Sequence, residues 1–318
     1  MRTTRLGLGI CCSLLFFGYH LQTALAAPTP HPAYYYYDTT LQSLENDSYN
    51  RGVTFAQGAC NAQSARLLIN DYGAARKISQ GVYGTQIFGN SGVTYDNANI
   101  LLALQYSADG VHHGYCGGID NIVAYGNNNS YMTQHGMTWT DANNAGSNQS
   151  NRAEELYNYQ VSQGYNHQTA AIAQDQEPGF DSPGISKQLT DGATNQGWAT
   201  NYDFGSADAC YPDNNGGGNG ASGTCANGWH ESDIEWVSYS GTAWPLPEIY
   251  YNGNGYAHQP DQWKNVRVVW NSTHSTTYQF MGTTGSTGVQ LTAQQGYDDL
   301  YNLNSSYFFD NQLACFGC

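Results

Sequence analysis

The stretch AAIAQDQEPGF, residues 170–180, decides how the chain is read. Small and apolar residues at 170–173 lead into two carboxylates one residue apart, Asp175 and Glu177, and Pro178-Gly179 then ends the run. As a strand over 169–177, this segment sends the side chains of Asp175 and Glu177 off the same face, because successive strand residues alternate between faces. Their Cα atoms then lie about 6.6 Å apart along the strand. Two carboxyls held that close in a partly dry pocket cannot both ionise easily, so one keeps its proton and the other its charge. Glycoside hydrolysis needs that division of labour. Spacing alone leaves a solvated strand end equally open.

Working outward, strand-like and helix-like stretches alternate. The strand candidates are 52–58 (GVTFAQG), 79–89, 119–126, 169–177, 198–205, 233–240, 247–253 and 266–271. Helices are expected over 61–77, where Ala65, Leu68, Ile69 and Tyr72 share a face, and over 94–110, within 141–164, over 185–196 and around 258–265. Strand-helix alternation with short connections points to a parallel sheet. Eight strands over about 220 residues fit a (β/α)8 barrel spanning 50–271. An open doubly wound sheet is the other arrangement, but the glycine fingerprint of a dinucleotide site is absent from the sequence. Residues 27–49, with four consecutive tyrosines at 34–37, read as an extended lead-in packed against the barrel, sugar stacking being the other use of such a run. Residues 272–318 read as a strand and a closing helix packed on the outside.

The first 26 residues carry Arg2 and Arg5, an apolar run from Leu6 to Gly18, and Ala24-Leu25-Ala26, the pattern of a secretory signal peptide. The run is short for a membrane span. The whole chain has 10 Lys+Arg against 25 Asp+Glu. Without the first 26 residues the balance is 8 to 25, a net charge of about −17. That excess argues against nucleic acid and anionic membrane surfaces as partners. Six cysteines remain, an even number that in an exported chain suggests disulfides. Cys210 and Cys225 bracket a Gly/Asn-rich loop and are expected to pair. Cys315 and Cys318 form a terminal clip or serve as partners for Cys60 and Cys116.

From about Gly52 onward the chain resembles the secreted glycoside-hydrolase-like barrel domains related to the lysozyme-type barrels of glycoside hydrolase family 25. The matching pieces are DQEPGF (175–180), YDFGSADACYP (202–212), CANGW (225–229), WVSY (236–239), AWPLPEIYYNG (243–253) and AHQPDQW (257–263). The resemblance implies that Asp175 and Glu177 correspond to the family's Asp-x-Glu, with Glu177 the general acid and Asp175 stabilising the cationic transition state. The chain also departs from the family. Thr54 stands where the first strand carries an acid, and no acid lies near Val268–Asn271. Asp203, Glu235 and Glu248 are the residues that could replace a missing acid.

Tyr83, Tyr202, Asp203 and Trp236 are the candidate substrate-binding residues near the pocket mouth; the sequence has 26 Tyr and 7 Trp. GxSxG, HExxH and P-loop motifs are absent, so no cofactor or metal is expected, and His112-His113 stays unassigned. Two functions follow: a secreted hydrolase of cell-wall or capsular polysaccharide, or a non-catalytic surface barrel that binds glycan or protein partners. The oligomeric state is not legible.

Overall fold

A computed structural model describes residues 28–318 except 61, 63–64, 90–91, 119, 211–223 and 254–257. The expected signal peptide therefore lies outside the described residues, as does most of the loop between Cys210 and Cys225. No helix among the described residues is long and apolar enough to cross a membrane.

Eight parallel strands form the central sheet: β1 (His31–Tyr35), β2 (Arg66–Ser79), β5 (Asn121–Asn128), β6 (Gln168–Asp175), β7 (Asn201–Asp203), β8 (Ala243–Pro245), β9 (Phe280–Ser286) and β10 (Phe308–Phe316). Their order around the sheet follows the chain, with β1 between β10 and β2. The ring closes through one parallel bridge between Glu248, just past β8, and Thr284 of β9. Helices alternate with the strands: α1 (Leu41–Gly58), α2 (Asn97–Gly114), α3 (Trp139–Ser162), α4 (Pro183–Thr194), α5 (Glu231–Tyr239), α6 (Gln259–Thr273) and α7 (Ala293–Asn304). This is the expected (β/α)8 architecture. A hairpin of β3 (Val82–Ile87) and β4 (Thr94–Asp96) leaves the end of β2 antiparallel to it.

The barrel boundaries differ from the expected 50–271. The segment read as a lead-in supplies β1, and the segment read as an outer extension supplies β9 and β10. The strand expected at 52–58 is the last part of α1, which starts much earlier, where the Thr40 side chain accepts a hydrogen bond from the Ser43 N–H. Leu44, Ser48, Gly52, Phe55 and Ala56 bury its inner face at helical spacing. The helix expected at 61–77 is β2. Its first eleven residues are buried on both sides, so the strand has no polar face to display period two. Leu67 and Ile69 enter the barrel, whereas Leu68 and Tyr72 pack under the helices. The β-branched stretches at 233–240 and 266–271 belong to helices α5 and α6. Mutual caps from His230 and Asp233 start α5, and Pro260 sits in the first turn of α6, so packing against the sheet overrides local propensity.

The barrel interior is filled by Ala33, Leu67, Ile69, Ala124, Ala171, Ala173, Tyr202, Phe204, Leu246, Met281, Ala314 and Phe316. This apolar plug leaves the mouth at the C-terminal strand ends as the place for polar chemistry. Outside the sheet, α1 and α2 touch backbone to backbone: a Cβ on Gly110 would collide with the Tyr49 carbonyl.

Three disulfides are present: Cys60–Cys116, Cys210–Cys225 as expected, and Cys315–Cys318 as a terminal clip. Cross-links of this kind are typical of extracellular proteins. Cys60–Cys116 spans 56 residues and ties the end of α1 to the end of α2; Cys210–Cys225 spans 15. In the chain-entropy account these closures are worth about 4 and about 3 kcal/mol. The double serine variant at 60 and 116 is therefore expected to melt lower than the one at 210 and 225 in side-by-side calorimetry. The reverse order would place the larger constraint on the shorter loop.

Candidate active site

The parity that puts Ala171 and Ala173 inside the barrel carries Asp175 to its inner rim at the end of β6. Leu246 likewise sets Glu248, and Leu67 and Ile69 set Asp71. Glu177, one step past Asp175 on the same parity, is half-buried, whereas Asp175 and Glu248 are buried. One carboxylate oxygen from each of Asp175, Glu177 and Glu248 lies within 4.8 Å of the others. The trio could hold a hard cation through oxygen alone, or share protons.

Two backbone devices bring the trio together. The Asn129 side chain clamps Glu177 by accepting from its N–H at 3.1 Å and donating to its carbonyl at 3.1 Å. Gly205 lies so close to the Gln176 backbone that any Cβ there would collide with it, and the Gly205 carbonyl accepts from the Glu248 N–H at 3.0 Å. Gly205 thus joins the acid-bearing end of β6 to the acid-bearing segment after β8. Aromatic rings floor the mouth: Tyr35 stacks on Phe316 with centroids 4.1 Å apart, and Phe316 stacks on Phe204 at 5.5 Å. The Tyr35 and Tyr250 hydroxyls neighbour each other and lie near Asp175 and Glu248.

Among the described residues no lysine, arginine or histidine pairs with these carboxylates. The salt bridges join Arg51 to Asp47, Lys77 to Asp141, Arg152 to Glu155, His167 to Asp120, Lys187 to Asp233 and His258 to Asp261. Burial, followed by the charges of Glu177, Glu248, Asp71 and Asp203, drives Asp175 well above the usual carboxylate range. Burial and then Glu177 do the same to Glu248. Glu177 is raised to about 7 by burial and by Asp208, against a hydrogen bond from Glu248 that favours its charged form. Glu177 and Glu248 are therefore both raised and bond each other, so the pair shares a proton.

Sequence reasoning located part of this set. Asp175 and Glu177 meet at the mouth, and Glu248 joins them as one of the three replacement acids considered. Asp203 is buried as the last residue of β7, bonded by the Gly205 and Gln176 N–H groups, and burial raises it to about 8. Glu235 lies on α5, outside the ring of strands. Thr54 is exposed on α1 and bonds the Asn50 carbonyl, so it occupies no strand position and marks no lost acid. The stretch near Val268 is helical, which is why no strand acid was found there. Three of the substrate-binding candidates are not brought to the trio. Tyr83 packs on α3 with its hydroxyl donating to Asp141. Tyr202 lines a cleft toward the N-terminal strand ends with Ile122, Ala171 and Trp198. Trp236 stands on α5 with its indole donating to Asp191. Asn129 and Asp71 were missed because neither sits in a motif; Asp208, inside the quoted 202–212 piece, and Tyr35, inside the tyrosine run, were not singled out as site residues.

No protein-family model matches the chain, and no curated protein matches it. Among solved structures, the chain is similar to the apo form of the homocysteine methyltransferase MmuM from Escherichia coli. The identity is 8%, 93% of each chain is covered, and the TM-score is 0.42.

The raised carboxylates fix the sign of the stability-pH relation. The folded chain holds protons that the unfolded chain releases near pH 4.5, so the stability present below that pH is lost as pH rises toward about 8. Melting temperature is expected to fall across that window. Glu235→Gln, which removes a buried acid raised to about 8, is expected to flatten the slope. An unchanged slope in that variant would show that Glu235 titrates normally in the folded chain.

Proposed function

We propose that this chain is an exported glycan-active hydrolase whose chemistry resides in Asp175, Glu177 and Glu248. The observation that carries the reading is the carboxylate trio at the C-terminal mouth of a barrel, with oxygens within 4.8 Å of one another. Barrel enzymes keep their reacting groups at that face. Three disulfides and an acidic, polar surface support an extracellular setting.

The proton inventory assigns roles. Glu177 and Glu248 share a proton, and the less enclosed Glu177 is taken as the anion of the pair. Glu248 keeps a proton it can hand to a glycosidic oxygen as the bond to the anomeric carbon breaks. The Glu177 carboxylate faces the cationic carbon and bonds to it, and water later releases the sugar with Glu248 now acting as base. Asp175, raised by burial and then by Glu177 and Glu248, is held toward its neutral form beside the pair. This division moves the general-acid role expected for Glu177 to Glu248 and keeps Glu177 and Asp175 in the reacting set. The close approach of the carboxyls suits retention of anomeric configuration, since an inverting pair keeps about 6.5–9.5 Å for a water. The non-catalytic alternative rested on a missing first-strand acid and an unlocated late-strand acid; Thr54 proves helical, but β1 (His31–Tyr35) carries no acid either, so a glycan-binding barrel remains the second reading.

Glu177→Gln and Glu248→Gln are each expected to abolish release of reducing ends from wall or capsular glycans, with circular dichroism unchanged. Asp175→Asn is expected to lower the rate strongly. The wild-type rate is expected to rise with pH toward about 7 as Glu177 ionises. A rate that instead falls through that limb would return the general-acid role to Glu177, and hydrolysis surviving both glutamine variants would remove the trio from the mechanism.

A further inference from the structure

A second cleft opens beside the acids, where β1 parts from β10. The two strands pair as far as Ala33 and Phe316, after which β1 pairs with β2 at Tyr34 and Tyr35. The opening has a volume of about 410 Å³ and is lined by Tyr34, Tyr35, Tyr37, Arg51, Thr287 and Phe316 among others. Tyr35 belongs to both places: its ring borders this cleft, while its hydroxyl lies beside Asp175 and Glu248. From Tyr35 a run of rings leads outward. Phe88 meets Tyr35 edge-on at 4.9 Å, and Tyr37 lies 5.9 Å from Phe88 with 60% of its surface exposed.

We infer that Tyr35, Phe88 and Tyr37 form a sugar-stacking subsite for an uncharged glycan, running from the carboxylate trio to the surface. The inference rests on reading the trio as a glycan site and adds the substrate's charge class and its path. A large exposed ring in series with half-buried ones gives the apolar face of a sugar ring a flat partner, and the nearby hydroxyl and guanidinium groups can bond its hydroxyls. The charges on the page select a neutral ligand. Arg51, the cation of the cleft, is held by Asp47 at 2.6 Å and by the Tyr35 carbonyl at 2.7 Å, so it is matched already. The neighbouring acids and the net charge of −15 oppose a polyanion. The tyrosine run at 34–37 thus divides its work. Tyr36 is buried under the helices, stacked on Tyr72 at 4.6 Å, while Tyr35 and Tyr37 face the cleft.

The test uses the full chain carrying Glu177→Gln, so that binding is read without turnover. Calorimetric titration with neutral hexose and N-acetylhexosamine oligomers is compared with oligogalacturonate. A neutral oligomer is expected to bind and the uronate not to. Adding Tyr37→Ala or Phe88→Ala is expected to weaken binding about tenfold, and Tyr37→Phe to leave it unchanged. Undiminished affinity in both alanine variants overturns the subsite. So does preferential binding of the uronate, or an absence of binding by every oligomer. Tyr37-dependent binding in a chain whose wild type hydrolyses nothing supports the subsite and removes only the hydrolase reading.

Discussion

Two carboxyl groups can form a hydrogen bond only if one of them stays protonated, and the bond between Glu177 and Glu248 imposes that condition on the whole mouth of the barrel. The two side chains come from different strands. They meet because Asn129 clamps the Glu177 backbone and because Gly205 lets the end of β6 and the segment after β8 approach without a Cβ between them. Asp175, which would bring another negative charge, is buried without a cation and is pushed toward its neutral form. The result is a cluster of several acids that carries little charge.

The ring order of the sheet explains why these acids converge. With β1 between β10 and β2 and each later strand beside its predecessor, every inner-face residue at a C-terminal strand end points toward one axis. The interior below is stocked with alanines at 33, 124, 171, 173 and 314, and with a few larger residues. That filling forces polar inner-face residues to the last layer. Closure through only the Glu248–Thr284 bridge leaves β8 short, so Glu248 stands at the edge of the sheet rather than deep within it.

The fold class was legible because strand-helix alternation survives errors in single elements. The segments at 119–126, 169–177 and 198–205 contain strands, and most of 94–110 and 185–196 falls in α2 and α4, although 94–96 form β4. The misreadings share one cause. In a parallel barrel a strand buried on both faces, such as β2, loses its period-two signature, and a helix against the sheet can be rich in valine and tryptophan, as at 266–270. One exchange of helix for strand near residue 60 moved the apparent start of the barrel and turned the true first strand into a lead-in. At the site, Asp175 and Glu177 were legible from their i, i+2 spacing and the proline-glycine stop. Glu248 lies between prolines and a tyrosine pair in an extended segment with no periodicity, so it could only be named among alternatives. Asn129 acts through backbone contacts with residues 48 positions away, which no local pattern reveals.

The acids also carry a cost that the fold alone does not explain. Burial raises Glu177 to about 7 and Asp203 to about 8, and each such group opposes folding wherever the unfolded chain would be ionised. Replacing a buried, unpaired carboxyl with an apolar residue of similar size would remove that penalty. Residues whose retention disfavours the folded state are the ones to associate with chemistry. By this argument Asp175, Glu177 and Glu248, at the C-terminal strand ends, stand apart from Glu231 and Glu235, which are buried residues of α5. Asn265 donates to Glu231 at 2.9 Å, so that pair is partly satisfied by its own helix neighbours. The trio instead faces an open mouth and an aromatic wall, where the missing hydrogen-bond partners can be supplied by a ligand.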